Sequence, residues 1–297
     1  MLEILLGAVS LGTLWAVMTI GVFITYRILN IADLTVEGSI AMGAAIAARG
    51  IIMGMNPYVT TLLALIGGMA AGLVTGLLHT QLKIPALLSG ILTMIALWSI
   101  NLRIMGKSNI SLLRMDTVYT MLENMGLNKT DAVMVLGLLF VLAIIILLYW
   151  FFGTEIGCAI RATGSNPRMV RAQGINTDST IILGLILSNG LVAVSGALIA
   201  QSQSYSDVQM GTGAIVIGLA SVIIGEVLFG TKKFFGRLLS LALGAITYRI
   251  IIALVLKMGM PANDLKLFTA ITVAVALSLP VLRQYFMPLR KSFKEVE

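Results

Sequence analysis

From Ile4 to Tyr26 the chain carries no charged side chain, and stretches of this kind recur along its length. Roughly 20 apolar helical residues are needed to cross the hydrocarbon core of a bilayer. Nine stretches approach that requirement: 4–26, 31–49, 58–80, 84–105, 133–152, 179–201, 213–230, 238–256 and 266–282. Inside lipid every backbone polar group must be paired within the protein, and a chain with this pattern meets that demand as helices. Hydrophobic residues make up 58% and charged residues 11% of 297 residues, with mean hydropathy +1.00, which excludes a soluble domain. The expected fold is an all-α integral membrane protein, a polytopic bundle of about nine or ten transmembrane helices forming one domain over 1–297. Glycines such as Gly67, Gly68 and Gly72 fall inside the spans, where small residues let helices approach closely. No cleavable leader is expected, because the first apolar stretch is long and lacks a basic n-region.

The longest polar interruption with a readable grammar is Gly157–Asp178, GCAIRATGSNPRMVRAQGINTD. Asn166 suits an N-cap, and Pro167 suits the first helical position, where a missing N–H costs nothing. Arg168 to Gln173 then make a short helix, and Gly174 follows where a left-handed residue is wanted. Arg161, Arg168 and Arg171 supply positive charge, and Met169 and Val170 supply an apolar surface. A helix this short is unstable alone. Its grammar predicts a docking element exposed on one side of the membrane and held in a partner's groove.

Charge distribution orients the bundle. With the outer N-terminus and inner C-terminus that nine spans imply, the inner side holds Arg27, Lys83, Arg161, Arg168, Arg171, Lys232, Lys233, Arg237, Arg283, Arg290, Lys291 and Lys294. The outer side holds Arg49, Arg103, Lys107, Arg114, Lys129, Lys257 and Lys266, and Arg249 falls within a span. Twelve against seven follows the positive-inside rule and puts segment 157–178 and the tail in the cytoplasm. The net charge of +7 is therefore a matter of topology, not of nucleic-acid binding.

Several chemistries are excluded. The single Cys158 and single His79 rule out a disulfide and a cysteine- or histidine-rich metal cluster. Gly106-Lys107-Ser108 imitates the end of a phosphate-binding loop, but Asn101 stands where its first glycine is required. An intramembrane serine protease built on Ser195 would need a base, and His79 belongs to the opposite membrane face. His79 reads instead as a polar helix terminus. Trp15, Trp98 and Trp150 read as interface anchors, and Glu226 as an ion-pair partner of Lys232, Lys233 or Arg249.

Two segments resemble each other. Asp33–Gly43 and Asp207–Gly218 each place an acidic residue and a few polar ones before a glycine-rich apolar helix. They open the second and seventh spans, so their helices run in opposite directions, the mark of an inverted repeat. Asp33 and Asp207 are either helix caps or groups of a solute pathway. Asn30, Asp33, Thr35 and Glu37, with Gln203, Asp207 and Gln209, are the polar positions expected to line it.

The stretch Gly153–Ala200 resembles the cytoplasmic loop and following helix of ABC importer permeases of the branched-chain amino-acid type. The likeness rests on Gly157, Arg161 and Ala162, then Gly174, Ile175 and Asn176, then Ser195, Gly196 and Ala197. Asn30–Ser39 resembles the family's early Asn-Leu-Ala-x-Gly region, and its acidic Asp33 and Glu37 look closer to a subgroup linked to aromatic amino-acid uptake. The resemblance implies a permease subunit in a bacterial cell membrane, with a second permease copy, cytoplasmic ATPase subunits docked on 157–174, and an extracytoplasmic solute-binding protein. It implies no cofactor in this chain, ATP and Mg being bound by the ATPase. Loop 106–132 is the longest candidate dock for that binding protein. A stand-alone secondary transporter is the main alternative, coupling ions at Asp33, Glu37 and Asp207. A permease for a sugar or nucleoside is another.

Overall fold

The computed structural model describes residues 2–230 and 233–258, with 264, 267–272, 274 and 278 beyond them. Helix α1 (Leu2–Phe23) passes into a π-helical turn, Ile24–Ile28, and the chain bends at Asn30, whose φ is 56°. Three antiparallel helices follow: α2 (Thr35–Ile52), α3 (Pro57–Thr80) and α4 (Ala86–Met105). Strand β1 (Asn109–Ser111) and the short α5 (Thr120–Asn124) lead to α6 (Lys129–Phe151). Helices α7 (Glu155–Ser165) and α8 (Pro167–Ala172) form the polar interruption, and α9 (Thr177–Gln203) re-enters the bundle. Strand β2 (Tyr205–Asp207), α10 (Ala214–Phe229) and α11 (Phe234–Lys257) complete the described elements.

Seven of these helices are long and apolar enough to cross a membrane: α1 with its π turn, α2, α3, α4, α6, α9 and α11. The protein is therefore a multi-pass membrane protein. The expected span 213–230 is α10, a 16-residue helix too short to count with them. The expected span 266–282 lies largely outside the described residues. Boundaries moved where local chemistry overrides hydropathy. The second helix begins at Thr35 instead of Ile31, because residues 29–34 leave the helix. Asn56 caps α3 by accepting from the Tyr58 N–H at 2.9 Å. Gly106, with φ 74°, ends α4 in the left-handed conformation.

Helix α9 is the axis of the bundle, packed against α1, α2 and α3. Its contact with α3 is backbone to backbone. A Cβ on Gly68 or Gly72 would collide with the Asn189 and Leu185 carbonyls, so only glycine permits this spacing. Helices α3, α4 and α6 turn apolar faces outward, including Leu62 and Ile66, Ile95, and Ile146 and Leu147. In water such faces would be a liability; in a bilayer they are solvated by lipid.

The purely helical expectation omitted a small antiparallel ribbon. Strands β1 and β2 pair Asn109 with Asp207, Ile110 with Ser206 and Ser111 with Tyr205. Together with loop 112–128 this closes one end of the bundle, and α7 and α8 close the other. The Tyr119 ring is buried here and its hydroxyl donates to Leu198 O at 3.1 Å, while Val118 N donates to Gln201 Oε1 at 3.0 Å. Burial pushes the Tyr119 phenol above its ordinary pKa.

Candidate functional site

Because residues 29–34 are not helical, α2 starts inside the bundle. The Asp33 carboxylate is buried and accepts from its own Thr35 N–H (2.9 Å) and from Asn189 Nδ2 (2.7 Å). Asn189 sits midway along α9, so this contact lies near half depth. Asn189 Oδ1 in turn accepts from Ser39 Oγ at 2.7 Å. One turn away, Thr35 Oγ1 meets Thr75 Oγ1 at 2.8 Å, and Thr75 donates to Thr93 Oγ1 at 2.9 Å. Four helices are thereby tied by a polar network where unpaired groups are costly.

Glu37, one turn further on, reaches another element. Its Oε1 accepts from Gly213 N at 3.0 Å, capping α10 from across the fold. Gly213 has φ 81°, and the adjacent Gly211 lies against the Glu37 carbonyl too closely for a side chain. Beside this contact opens a cavity of about 330 Å³ lined by Glu37, Trp98, Ser99, Asn101 and Thr212 among others. Asn101 Nδ2 donates to Gly38 O at 3.2 Å, and its Oδ1 is buried without a partner. The cavity thus has a carboxylate, an amide and two hydroxyls among its lining residues, beside an indole ring.

The expected pathway residues separate into two groups. Asp33, Thr35 and Glu37 belong to the interior. Gln203, Asp207 and Gln209 lie at the ribbon end, with Gln203 and Gln209 exposed, and Asn30 is exposed at the opposite bend. Asp33 and Asp207 do not meet. They share a local geometry, however: Asp207 Oδ1 accepts from Gln209 N at 2.7 Å, two residues on, as Asp33 does from Thr35. Sequence reasoning missed Asn189, Asn101, Thr75 and Gln201. Their signal was present, since each is a polar side chain within an apolar span.

The polar interruption is more extensive than a single short helix. Helix α7 begins on Thr154, whose Oγ1 accepts from Gly157 N at 3.3 Å, and runs 11 residues before α8. Asn166 Oδ1 caps α8 through Met169 N at 3.1 Å, Pro167 is its first residue, and Gly174 follows with φ 82°. The side chains point differently from the expectation. Val170 is fully buried within this chain, so it seats α8 on its own bundle and offers a partner nothing. Met169 is 46% exposed, and Arg168 and Arg171 are exposed beside it. Arg171 is also tethered, its Nε donating to Thr177 Oγ1 at 2.6 Å with Asp178 at 3.5 Å. The short helix is therefore held by its own chain. Arg161 lies over the Phe234 ring, 5.1 Å from its centre.

Other expectations change for similar reasons. Glu226 pairs with Arg27 at 2.6 Å, a partner that was not among those expected for it, and the expected Lys232 lies outside the described residues. Trp15 is buried beneath Arg249 instead of at an interface, whereas Trp98 and Trp150 are exposed. His79 Nδ1 lies 2.8 Å from Ile84 O just past the end of α3, as a helix terminus would. Among the described residues no cluster of three or more metal-ligating side chains occurs.

The family described as "Branched-chain amino acid transport system / permease component" matches residues 4–276. A tyrosine transport system permease protein of Clostridioides difficile is 43% identical over 275 residues, covering 92% of this chain and 90% of that protein. An autoinducer 2 import system permease protein of Photorhabdus luminescens is 27% identical over 70% of this chain and 62% of its own length. Among solved structures, an ABC transporter of the metal-chelate type in an inward-facing conformation aligns with TM-score 0.51. At 15% identity, over 95% of this chain and 85% of that one, the likeness is one of fold.

Proposed function

This chain belongs to the family of branched-chain amino acid transport system permease components, and from that membership we propose that it carries an amino acid, branched-chain or aromatic, across a bacterial cell membrane. It is a transport subunit of the ABC importer type. The observation that carries the amino-acid reading is the 43% identity with a tyrosine permease across nearly the whole chain.

In this reading residues 1–297 form one permease domain of nine or ten spans, the C-terminus is cytoplasmic, and two copies flank the pathway. Solute arrives from an extracytoplasmic binding protein at the ribbon end and passes the Asp33 and Glu37 region. ATP and Mg are bound by separate ATPase subunits that dock on 157–178. Support for the docking comes from the exposed Met169, Arg168 and Arg171 on a helix whose other face is locked by Val170. A helix anchored on one side and presented on the other transmits a push as a rigid lever. Support for the inverted repeat comes from the shared aspartate turn before α2 and α10 and from Glu37 joining their starts.

The test is uptake by the complete transporter reconstituted in liposomes, with and without ATP. ATP-dependent accumulation of tyrosine or a branched-chain amino acid is expected. Accumulation of a sugar or nucleoside alone, or uptake driven by an ion gradient without ATP, would overturn the reading.

A further inference from the structure

Helix α11 carries a guanidinium in its interior. Arg249 lies 8 residues before the end of a membrane span, with its Cζ 4.2 Å from the centre of the Trp15 ring. Its Nε is buried with no hydrogen-bond partner, and the same is true of the neighbouring Tyr248 hydroxyl and of Trp15 Nε1. Among the described residues the ion pairs are Arg27–Glu226, Lys83–Asp178 and Arg171–Asp178, and none includes Arg249. A cation within a span is expensive and ordinarily faces a counter-charge or a water-filled path.

The side chain borders a cavity of about 370 Å³, whose walls include Thr212, Gly213, Tyr248, Arg249 and Ile252. That volume falls within the range of about 300–1,000 Å³ typical of small-molecule sites. The cavity adjoins the start of α10. Thr212 is shared with the cavity that contains Glu37, so the Thr212–Gly213 turn stands between a carboxylate and a guanidinium.

We propose that this cavity receives the carboxylate of the transported solute, with Arg249 as its cation and the Tyr248 hydroxyl as an added donor. The inference rests on the amino-acid reading above. Two lining residues, Tyr248 and Arg249, carry donors without acceptors; that describes a site for an anion, and a planar guanidinium matches a carboxylate with two parallel hydrogen bonds. The Trp15 face beneath the guanidinium holds the cation in place while the site is empty.

The experiment uses a Thr212→Cys reporter in a Cys158→Ser chain, within the assembled transporter, labelled by a small maleimide. L-phenylalanine and L-phenylalaninamide are the probes, differing only in the carboxylate. Phenylalanine is expected to slow labelling at least fivefold, and the amide, weaker by the roughly tenfold or more that one charge-assisted contact supplies, is not. Arg249→Gln should abolish that protection, and Arg249→Lys should need about tenfold more phenylalanine for the same effect. Equal protection by acid and amide, or protection that survives Arg249→Gln, would overturn the proposal. So would a loss of permease–permease association in Arg249→Gln with protection unchanged, which would make the cation's partner an acidic group of the second copy. ATP-driven phenylalanine uptake by the unaltered complex is measured in parallel. Uptake without protection defeats this inference alone, whereas absence of uptake for every amino acid defeats the underlying reading too.

Discussion

Glu37 and Gly213 lie 176 residues apart in sequence, yet the Glu37 carboxylate accepts the Gly213 N–H at 3.0 Å and so begins α10. Each residue explains the other. Gly213 adopts φ 81°, which an L side chain resists, and its N–H needs an acceptor that no adjacent residue supplies. Glu37, at the start of α2, supplies it. The two helix starts are therefore one structural unit, and movement of either is felt by the other.

Removing that cap has a graded cost. Glu37→Ala leaves the Gly213 N–H unpaired in a partly buried site, a loss of about 1–3 kcal/mol. Glu37→Gln keeps an acceptor oxygen and should cost less than about 1 kcal/mol. Gly213→Ala should cost about 1–2 kcal/mol through its backbone alone. Thermal unfolding of the purified permease in detergent should rank Ala at 37 and Ala at 213 below Gln at 37. Equal melting for all three would remove the cap from the account.

The two apolar residues of α8 should behave oppositely. Val170 is fully buried, so Val170→Ala should destabilise by about 1–3 kcal/mol and loosen the α7–α8 segment. Met169 is 46% exposed, so Met169→Asp should leave the stability within about 0.5 kcal/mol of the parent. The same Met169→Asp, or Arg168→Glu, should lower co-purification of the ATPase severalfold. If Met169→Asp retains full ATPase association and transport, α8 is not the dock.

Much of this segment could be read from local chemistry. An asparagine before a proline, and a glycine after one and a half turns, are signals acting within a few residues, and Asn166, Pro167 and Gly174 occupy the expected roles. The direction of Val170 could not be read this way, because it depends on elements distant in the chain. The Arg27 partner of Glu226 was missed for the same reason: it lies 199 residues away, while the lysines considered were sequence neighbours. Most spans were legible because lipid demands a long uninterrupted run. The start of α2 was not, since residues 29–34 are apolar enough to pass for helix and only Asn30 and Asp33 hint at the bend.

Asp33 satisfies two donors, Thr35 N and Asn189 Nδ2, with its two oxygens. An asparagine has one carbonyl oxygen and can serve only one of them. Asp33→Asn should therefore lower stability by about 1–3 kcal/mol and slow transport. Asp207→Asn, at the half-exposed ribbon, should change stability by less than about 0.5 kcal/mol. Cargo preference should stay the same in both. Full uptake in the Asp33 variant would show that the buried pair is dispensable, and an altered preference would assign selectivity to it.

Membrane sidedness can be tested with the chain's own chemistry. Among the described residues the α8 end carries Arg27, Lys83, Arg161, Arg168, Arg171, Lys233 and Arg237, and the ribbon end carries Arg49, Arg103, Lys107, Arg114, Lys129 and Lys257. These sets are nearly equal, so the charge bias that orients the bundle comes mostly from Lys232 and the tail, Arg283 to Lys294, outside the described residues. A direct probe is therefore decisive. Cys158 is the only cysteine and is exposed on α7. A membrane-impermeant maleimide should label it in inside-out vesicles and not in right-side-out ones. Asn128→Cys in a Cys158→Ser chain should show the reverse, because Asn128 is exposed at the ribbon end. Labelling of Cys158 from outside would invert the topology, and a cytoplasmic ATPase could then not reach α8.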